Sequence, residues 1–411
     1  MIDVAIMGHG VVGSGVAEVL IKNAEHIAKK AKNEINIKYI LDLRDFPGLS
    51  YSEKFIKDFN IILNDPDVRV VAEVMGGLHP AYEFTKSCLE AGKSVVTSNK
   101  ELVAQKGDEL LRIAEENNVN YLFEASVGGG IPVLRPIAQC LTANDLYEVQ
   151  GILNGTTNYI MTKMVNEGVA FPEALAEAQR LGYAEKDPTA DVEGHDACRK
   201  ICILAALAFG KHVYPKDVYT EGITKITSAD TAYADFAGCV IKLIGRARLT
   251  ENGKCSVTVY PAFVSKKSQL AHVDDVFNAV AVRGDAVGDV LFYGRGAGKL
   301  PTASAVVADI IDAVKHLSSR KYLSWDKAEE GYVTDHTEAT VRLYVRAKAD
   351  KCRDCLKAKA EELFGELQYL GRNGEPDDEL AFITPFASEK TLFSQLEKLN
   401  GTVLGAVRLL D

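Results

Sequence analysis

The segment from Gly182 to Lys200 gathers acids and cations, among them Glu185, Asp187, Asp191, Glu193, Asp196, Arg199 and Lys200, and runs directly into Ile201 to Gly210, which is apolar on nearly every side. Such a stretch predicts a helix buried all round and stopped by Gly210. Asp196 and Lys200 open it four residues apart, so they share one face, with the acid N-terminal to the base as both the pair and the helix dipole prefer. That face continues through Ile203 and Leu207 into the core. A charged pair placed there loses solvation and returns little net stability, so it serves either register or chemistry. The chemistry on offer is a lysine that meets an anion or yields a proton while a carboxylate orients it. Glu185, on the loop that begins with Gly182 and Tyr183, can reach the same spot. A capped helix with a solvated acidic lead-in accounts for the same residues more plainly.

A reactive pair needs elements to hold it and a partner molecule to act on. Gly8, Gly10 and Gly13, with Val11 and Val12 between the last two, follow an opening strand and lead into a helical pattern. That context is what a dinucleotide-binding turn requires: one glycine for the tight turn, one for approach of the pyrophosphate, one for close helix packing. The second strand, Ile35 to Leu41, ends at Asp42 and Arg44. The acid suits the ribose hydroxyls of NAD and the arginine suits the 2′-phosphate of NADP, so the choice of cofactor stays open at this point. Further strands run from Val68 to Met75, Ser94 to Thr97 and Val119 to Phe123, with helical segments Pro80 to Ala91 and Lys106 to Glu116 between them. Repeated βαβ units predict a mostly parallel sheet whose ligands lie beyond the strands' carboxyl ends. Asp42, Gly76, Ser98, Asn99, Lys100 and Glu124 all fall at those ends. The glycines of Val127 to Pro132 leave carbonyls exposed in a tight loop, suited to packing on a cofactor or to a shell of oxygens around a monovalent cation.

The chain has 411 residues, 47% hydrophobic and 25% charged, with a net charge of −10. That balance argues against a general nucleic-acid binder, which needs a basic patch. No run approaches about 18 apolar residues, so no membrane span is expected. Nothing at the N-terminus marks export, which makes the cytoplasm the expected compartment and reduced thiols the expected state of the eight cysteines. Cys352 and Cys355 have CxxC spacing without a second ligand pair.

Beyond Leu146 the chain changes character. A strand runs into Asn154, Gly155, Thr156, Thr157 and Asn158, short donors and acceptors suited to a small polar ligand or to a plain turn. Alternating segments at Lys254 to Phe263, Ala279 to Gly284 and Asp289 to Tyr293 read as antiparallel strands, a sheet of the kind that forms subunit interfaces. A glycine loop, Gly294 to Gly298, then opens a long helix over Ala303 to Leu317.

Gly8 to Gly13, Thr97 to Val103, Glu124 to Pro132, Gly151 to Tyr159, Leu181 to Lys200 and Tyr293 to Asp309 together resemble, in order and spacing, the homoserine dehydrogenases. The resemblance implies NAD(P)-dependent interconversion of aspartate 4-semialdehyde and homoserine, on the route to threonine, methionine and isoleucine. It implies a substrate site of Gly182, Tyr183, Glu185, Asp191, Asp196, Lys200, Asn154 and Thr156, with Lys100 near the reacting carbon and Gly298 closing over the cofactor. By the same likeness, carbonyls of Glu124, Val127, Gly129 and Ile131 hold a sodium ion. Either Lys100 or Lys200 can be the proton donor, and Arg44 tilts the cofactor expectation slightly towards NADP.

The tail reads strand, helix, two strands, helix, strand, which resembles the ACT regulatory domain without the usual glycine at its first turn, where Asp350, Lys351 and Cys352 stand. The expected fold is therefore α/β: a Rossmann-type doubly wound domain over residues 1–135 plus about 298–320, an α+β substrate and dimerisation domain over 136–297, and a βαββαβ ACT-like domain over 337–411. A homodimer or higher homo-oligomer acting on a small molecule is expected. A nucleotide-sensing regulator without chemistry, or another amino-acid-linked dehydrogenase, are the competing readings.

Overall fold

Short, largely apolar segments become the strands of a parallel sheet that is buried most completely at its centre. In the computed structural model these are β1 (Ile2–Met7), β2 (Ile35–Leu41), β3 (Phe55–Ile56), β4 (Val68–Glu73), β5 (Ser94–Thr97) and β6 (Tyr121–Leu122), in the spatial order β3-β2-β1-β4-β5-β6 with every pairing parallel. The structure describes residues 1–319 and 323–410; residue 320, where the second nucleotide-domain segment was expected to end, and residue 411, the expected end of the tail domain, lie outside the described residues. The chain divides into two compact units, Met1–Val149 with Cys202–Pro215 and Val280–Glu330, and Gln150–Ile201 with Lys216–Ala279 and Gly331–Asp411.

In the first unit the order reverses between β1 and β4, which opens a crevice at the carboxyl ends of the strands. Val4, Ile6, Val70, Ala72 and Val96 of the sheet pack with Val16 and Leu20 of helix Val11–Lys22 and with Val306 and Ile310 of helix Lys299–Lys315. Gly15 sets how closely those helices approach: a Cβ there would lie 2.9 Å from the Lys299 carbonyl oxygen. Two helices start earlier than the sequence pattern suggests. The helix expected from Lys106 begins at Lys100, because the Asn99 side chain caps it by accepting from Leu102 N. The helix expected from Ala303 begins at Lys299, and Pro301 falls in its first turn, where the missing N–H has no intrahelical partner to lose.

In the second unit, strands Cys239–Leu249 and Cys255–Ser265 pair antiparallel along their full length. Cys255–Ser265 also pairs in parallel with the last strand, Gly401–Leu410, at Ala262 to Val264. The tail has the βαββαβ order with strands Leu343–Ala349, Gln368–Leu370, Glu379–Ile383 and Gly401–Leu410, the first lying between the last and the third. Leu343, Val345, Leu356, Ala360, Phe382 and Leu392 form its core. Two buried ionic clusters tie it down: Arg346 to Asp230 at 2.9 Å and Glu379 at 3.2 Å, and Arg408 to Glu389 at 2.9 Å and Glu221 at 2.8 Å. Six cysteines are free thiols, whereas Cys352 and Cys355, also expected reduced, form a disulfide; the CxxC spacing at a helix start brings their Cα atoms to 5.4 Å. Among the described residues no helix is long and apolar enough to cross a membrane.

Candidate active site

The turn after β1 is built from backbone. Gly8 has φ +101°, a conformation side chains disfavour, and a Cβ on Gly13 would lie 2.0 Å from the Gly8 carbonyl oxygen. Gly10 differs: a Cβ there would meet nothing within the protein. It N-caps helix Val11–Lys22 with no side-chain cap on the first N–H groups, so those of Val11, Val12 and Gly13 are left for an anion at the positive end of the helix dipole. This fits a dinucleotide pyrophosphate.

Asp42, at the end of β2, accepts from His9 N at 2.8 Å and takes a two-pronged bond from the Arg44 guanidinium at 3.0 and 2.9 Å. Arg44 holds the carboxyl of Asp42 far below the usual carboxylate range. The arginine is itself exposed and lies over Phe46. The His9 ring meets Phe46 and Phe55 edge-on, an aromatic wall that the glycine motif did not reveal. At the next strand ends, Gly76 has φ +81°, Ser98 N donates to the Glu73 carbonyl, and Asn99 Nδ2 donates to the Gly77 carbonyl at 2.6 Å. Lys100 is half-buried and is the first residue of its helix. Gly298, at φ +127°, N-caps helix Lys299–Lys315.

The second unit builds its site from side chains. Asn154 ends the segment after strand Leu146–Ile152 and N-caps helix Gly155–Glu167, accepting from Thr157 N at 2.8 Å. Thr156 and Thr157, expected in a loop, therefore lie in the helix. Asn154 Nδ2 donates both to Asp191 Oδ1 at 2.7 Å and to Asp196 Oδ2 at 2.8 Å. Lys200 Nζ donates to the same Asp196 oxygen at 2.6 Å and to the Leu153 carbonyl at 2.7 Å. Asp196 and Lys200 are 5% and 8% exposed, the desolvated pair that their place at the head of helix His195–Phe209 implies. Burial, with the charge of Asp196 beside it, raises the pKa of Asp191. Thr156 Oγ1 donates to the Tyr183 carbonyl, and Gln179 donates to the Glu185 carbonyl, so both ends of the Gly182 turn are tethered. The Glu185 residue is exposed, with no described side-chain bond joining it to the cluster.

The loop expected to hold a cation lies in the first unit. Glu124 is buried and its carboxylate accepts from the N–H groups of Val133, Leu134 and Arg135 at 2.6, 2.9 and 2.7 Å. Asp309 accepts from Glu124 N at 2.8 Å and from Arg135 at 2.5 Å; burial lifts its pKa to about 7 against the pull of Arg135. Gly128 and Gly129, at φ +74° and +55°, turn the backbone, and Ile131 N donates to Gly128 O. Among the described residues no donor reaches the carbonyl oxygens of Val127, Gly129 or Ile131, which fits a shell of backbone oxygens. No group of three or more His, Cys, Asp or Glu side chains among the described residues could hold a metal, so a cation here would depend on carbonyls.

A doubly wound parallel sheet with a pyrophosphate turn at its switch point, in a chain that also carries a buried lysine–carboxylate pair, defines an NAD(P)-dependent oxidoreductase. Residues 8–124 match the family model for the homoserine dehydrogenase NAD binding domain, and residues 132–311 match that for homoserine dehydrogenase. The homoserine dehydrogenase of Pseudomonas aeruginosa is 46% identical over 319 residues, 77% of this chain and 73% of that one. The crystal structure of a homoserine dehydrogenase from Thiobacillus denitrificans superposes with a TM-score of 0.92 at 36% identity, covering 100% of this chain and 98% of that one. A hyperthermophilic archaeal homoserine dehydrogenase in complex with NADPH has a TM-score of 0.64 at 28% identity, covering 76% and 97%. The chain belongs to the homoserine dehydrogenase family.

Proposed function

We propose that Lys200 is the proton donor in the interconversion of aspartate 4-semialdehyde and homoserine, with Asp196 orienting it. The observation that carries this is the geometry of its ammonium. Of its three hydrogens, one goes to Asp196 and one to the Leu153 carbonyl, which leaves the third for the oxygen of the reacting carbon. Asn154 fixes the Asp196 carboxylate, so the lysine is aimed before substrate arrives. The acid-rich surroundings, Asp191 in the cluster and Glu185 on the loop, suit the substrate ammonium. The bound nicotinamide supplies or takes up the hydride. Gly8, Gly10, Val11, Val12 and Gly13 would hold its pyrophosphate, and Gly76, Ser98, Asn99, Lys100 and Gly298 would line its nicotinamide side.

Asp42 would hold the adenosine ribose, and Arg44 supports a preference for NADP: by pairing with Asp42 it cancels the charge that would repel a 2′-phosphate. The open carbonyls of Val127, Gly129 and Ile131, with that of Glu124 beside them, support a sodium site. The enzyme would act as a homo-oligomer in the cytoplasm, in the biosynthesis of threonine, methionine and isoleucine. Its tail would be an ACT-like module that serves structure, since its sheet continues onto strand Cys255–Ser265. Initial rates of nicotinamide reduction with homoserine test the whole reading: NADP is expected to give a kcat/KM at least equal to that with NAD. A preparation inert with both would favour a sensor.

A further inference from the structure

Glu73 is fully buried at the end of β4, after Val70, Val71 and Ala72, where a strand of this kind ordinarily carries another apolar residue. Nothing in the family reading uses it. A buried carboxyl is costly unless donors converge on it, and here they do. Oε1 accepts from Met75 N at 2.9 Å and Oε2 from Thr97 Oγ1 at 2.6 Å. Burial nonetheless leaves its pKa raised.

The donors belong to two separate strand ends. Met75 follows β4, and Thr97 closes β5 two residues before Asn99. Thr97 Oγ1, while donating to Glu73, accepts from Asn99 N at 2.9 Å. Asn99 in turn reaches back to the Gly77 carbonyl at 2.6 Å and caps the helix that Lys100 begins by accepting from Leu102 N at 3.1 Å. Gly76 and Gly77 sit at φ +81° and +72° with open space where a Cβ would be, so their own packing does not fix them. One carboxyl therefore joins the two strand-end loops that carry Gly76, Ser98, Asn99 and Lys100.

We propose that Glu73 is a positioning residue for the cofactor: it holds the loops after β4 and β5 in the single arrangement that receives the nicotinamide side of NAD or NADP. This rests on the reading of Gly76 and Ser98 to Lys100 as cofactor-binding. Because the nicotinamide side is common to both cofactors, the effect of losing Glu73 must be blind to the 2′-phosphate. Removal of Arg44 acts at the adenosine end and must not be.

The test is steady-state kinetics with both cofactors on Glu73→Leu and Glu73→Gln. Glu73→Leu is expected to raise the cofactor KM and lower kcat by about tenfold each, as misplacement of a bound reactant does, with the NADP-to-NAD ratio unchanged. Glu73→Gln keeps one acceptor oxygen and can donate to a reoriented Thr97 hydroxyl, so it is expected to recover most of both parameters. A Glu73→Leu enzyme that loses thermal stability but keeps wild-type kcat and cofactor KM would overturn the proposal and leave a structural acid. If that variant does not fold, Thr97→Val cuts the link between Glu73 and Asn99 N while sparing the carboxyl; an unchanged cofactor KM in it would equally overturn the proposal. Failure of the cofactor reading itself looks different, because wild-type enzyme would then show no saturable dependence on either nucleotide.

Discussion

The two units make their sites from opposite materials. In the first, the cofactor turn is shaped by missing side chains: Gly13 leaves room that a Cβ would fill at 2.0 Å from the Gly8 carbonyl oxygen, and Gly10 leaves a helix end open. In the second, the polar cluster is shaped by side chains that satisfy one another, with Asn154 bridging two carboxylates and Lys200 closing the set. A backbone-made site should fail when an atom is added. A cluster of paired side chains should fail when a charge is removed, because the bonds that keep the rest in place, such as Asn154 to Asp196, cannot supply the missing group.

The largest effect should come from the cluster. Lys200→Ala is expected to lower kcat by about 100-fold or more, the usual worth of a positioned acid or base, while circular dichroism and oligomeric state stay as in the wild type. Near-normal turnover in that variant would transfer the role to Lys100. The backbone-made turn is next. Gly13→Ala forces an overlap, and overpacking costs about 1–3 kcal/mol, here taken mainly from cofactor binding. Its cofactor KM should rise about tenfold or more with both nucleotides, whereas homoserine binding should be spared. A Gly13→Ala enzyme with normal cofactor KM would erase the contrast between the units.

A finer division runs within the first unit, between the shared pyrophosphate turn and the adenosine end. Arg44 donates to Asp42 in the structure and faces solvent. Arg44→Ala would remove a charge-assisted donor and would also expose the Asp42 charge to any 2′-phosphate. Both consequences act against NADP alone, so its KM should rise about tenfold while that for NAD holds or falls. Equal losses for the two cofactors would show that Arg44 only braces the turn.

The same contrast decides what the sequence could disclose. The glycine turn is legible because its spacing follows local geometry and because strand and helix flank it. Asp196 and Lys200 are legible because four residues of helix put them on one face, and the apolar run after them announces burial. Asn154 could be read only as part of a polar turn, since its role depends on Asp191 and Asp196, 37 and 42 residues away. Glu73 was hidden for the same reason: its partner Thr97 lies 24 residues away across a strand pairing. One cue was present, an acid within an apolar strand. The tail's βαββαβ order was legible from alternation, but its join to strand Cys255–Ser265 was not, because backbone pairing leaves no mark on side-chain type.

The smallest expected effect is none at all. Threonine should leave initial rates unchanged, because the tail's first turn is the reverse of the cofactor turn. At Gly8 and Gly10 the backbone can approach a ligand without a Cβ in the way. After strand Leu343–Ala349 the turn carries Asp350, Lys351 and Cys352, and none of these adopts the left-handed conformation that glycine would supply there. Cys352 N-caps helix Arg353–Phe364 with its own sulfur, which accepts from Cys355 N at 3.1 Å, so the first donor an effector carboxylate would seek is already engaged. Arg353 pairs with Glu375, which further closes that end. What the tail offers instead is anchorage: Arg408 and Arg346 are buried against acids from outside it, Glu221 and Asp230, as well as against Glu389 and Glu379 within it, and removing either arginine leaves buried acids without their counter-charge. Arg408→Ala should therefore lower the melting temperature while the threonine response stays flat. Half-inhibition of the full-length enzyme at submillimolar threonine would show that the glycine-free turn binds an effector after all, and the structural account of the tail would fall.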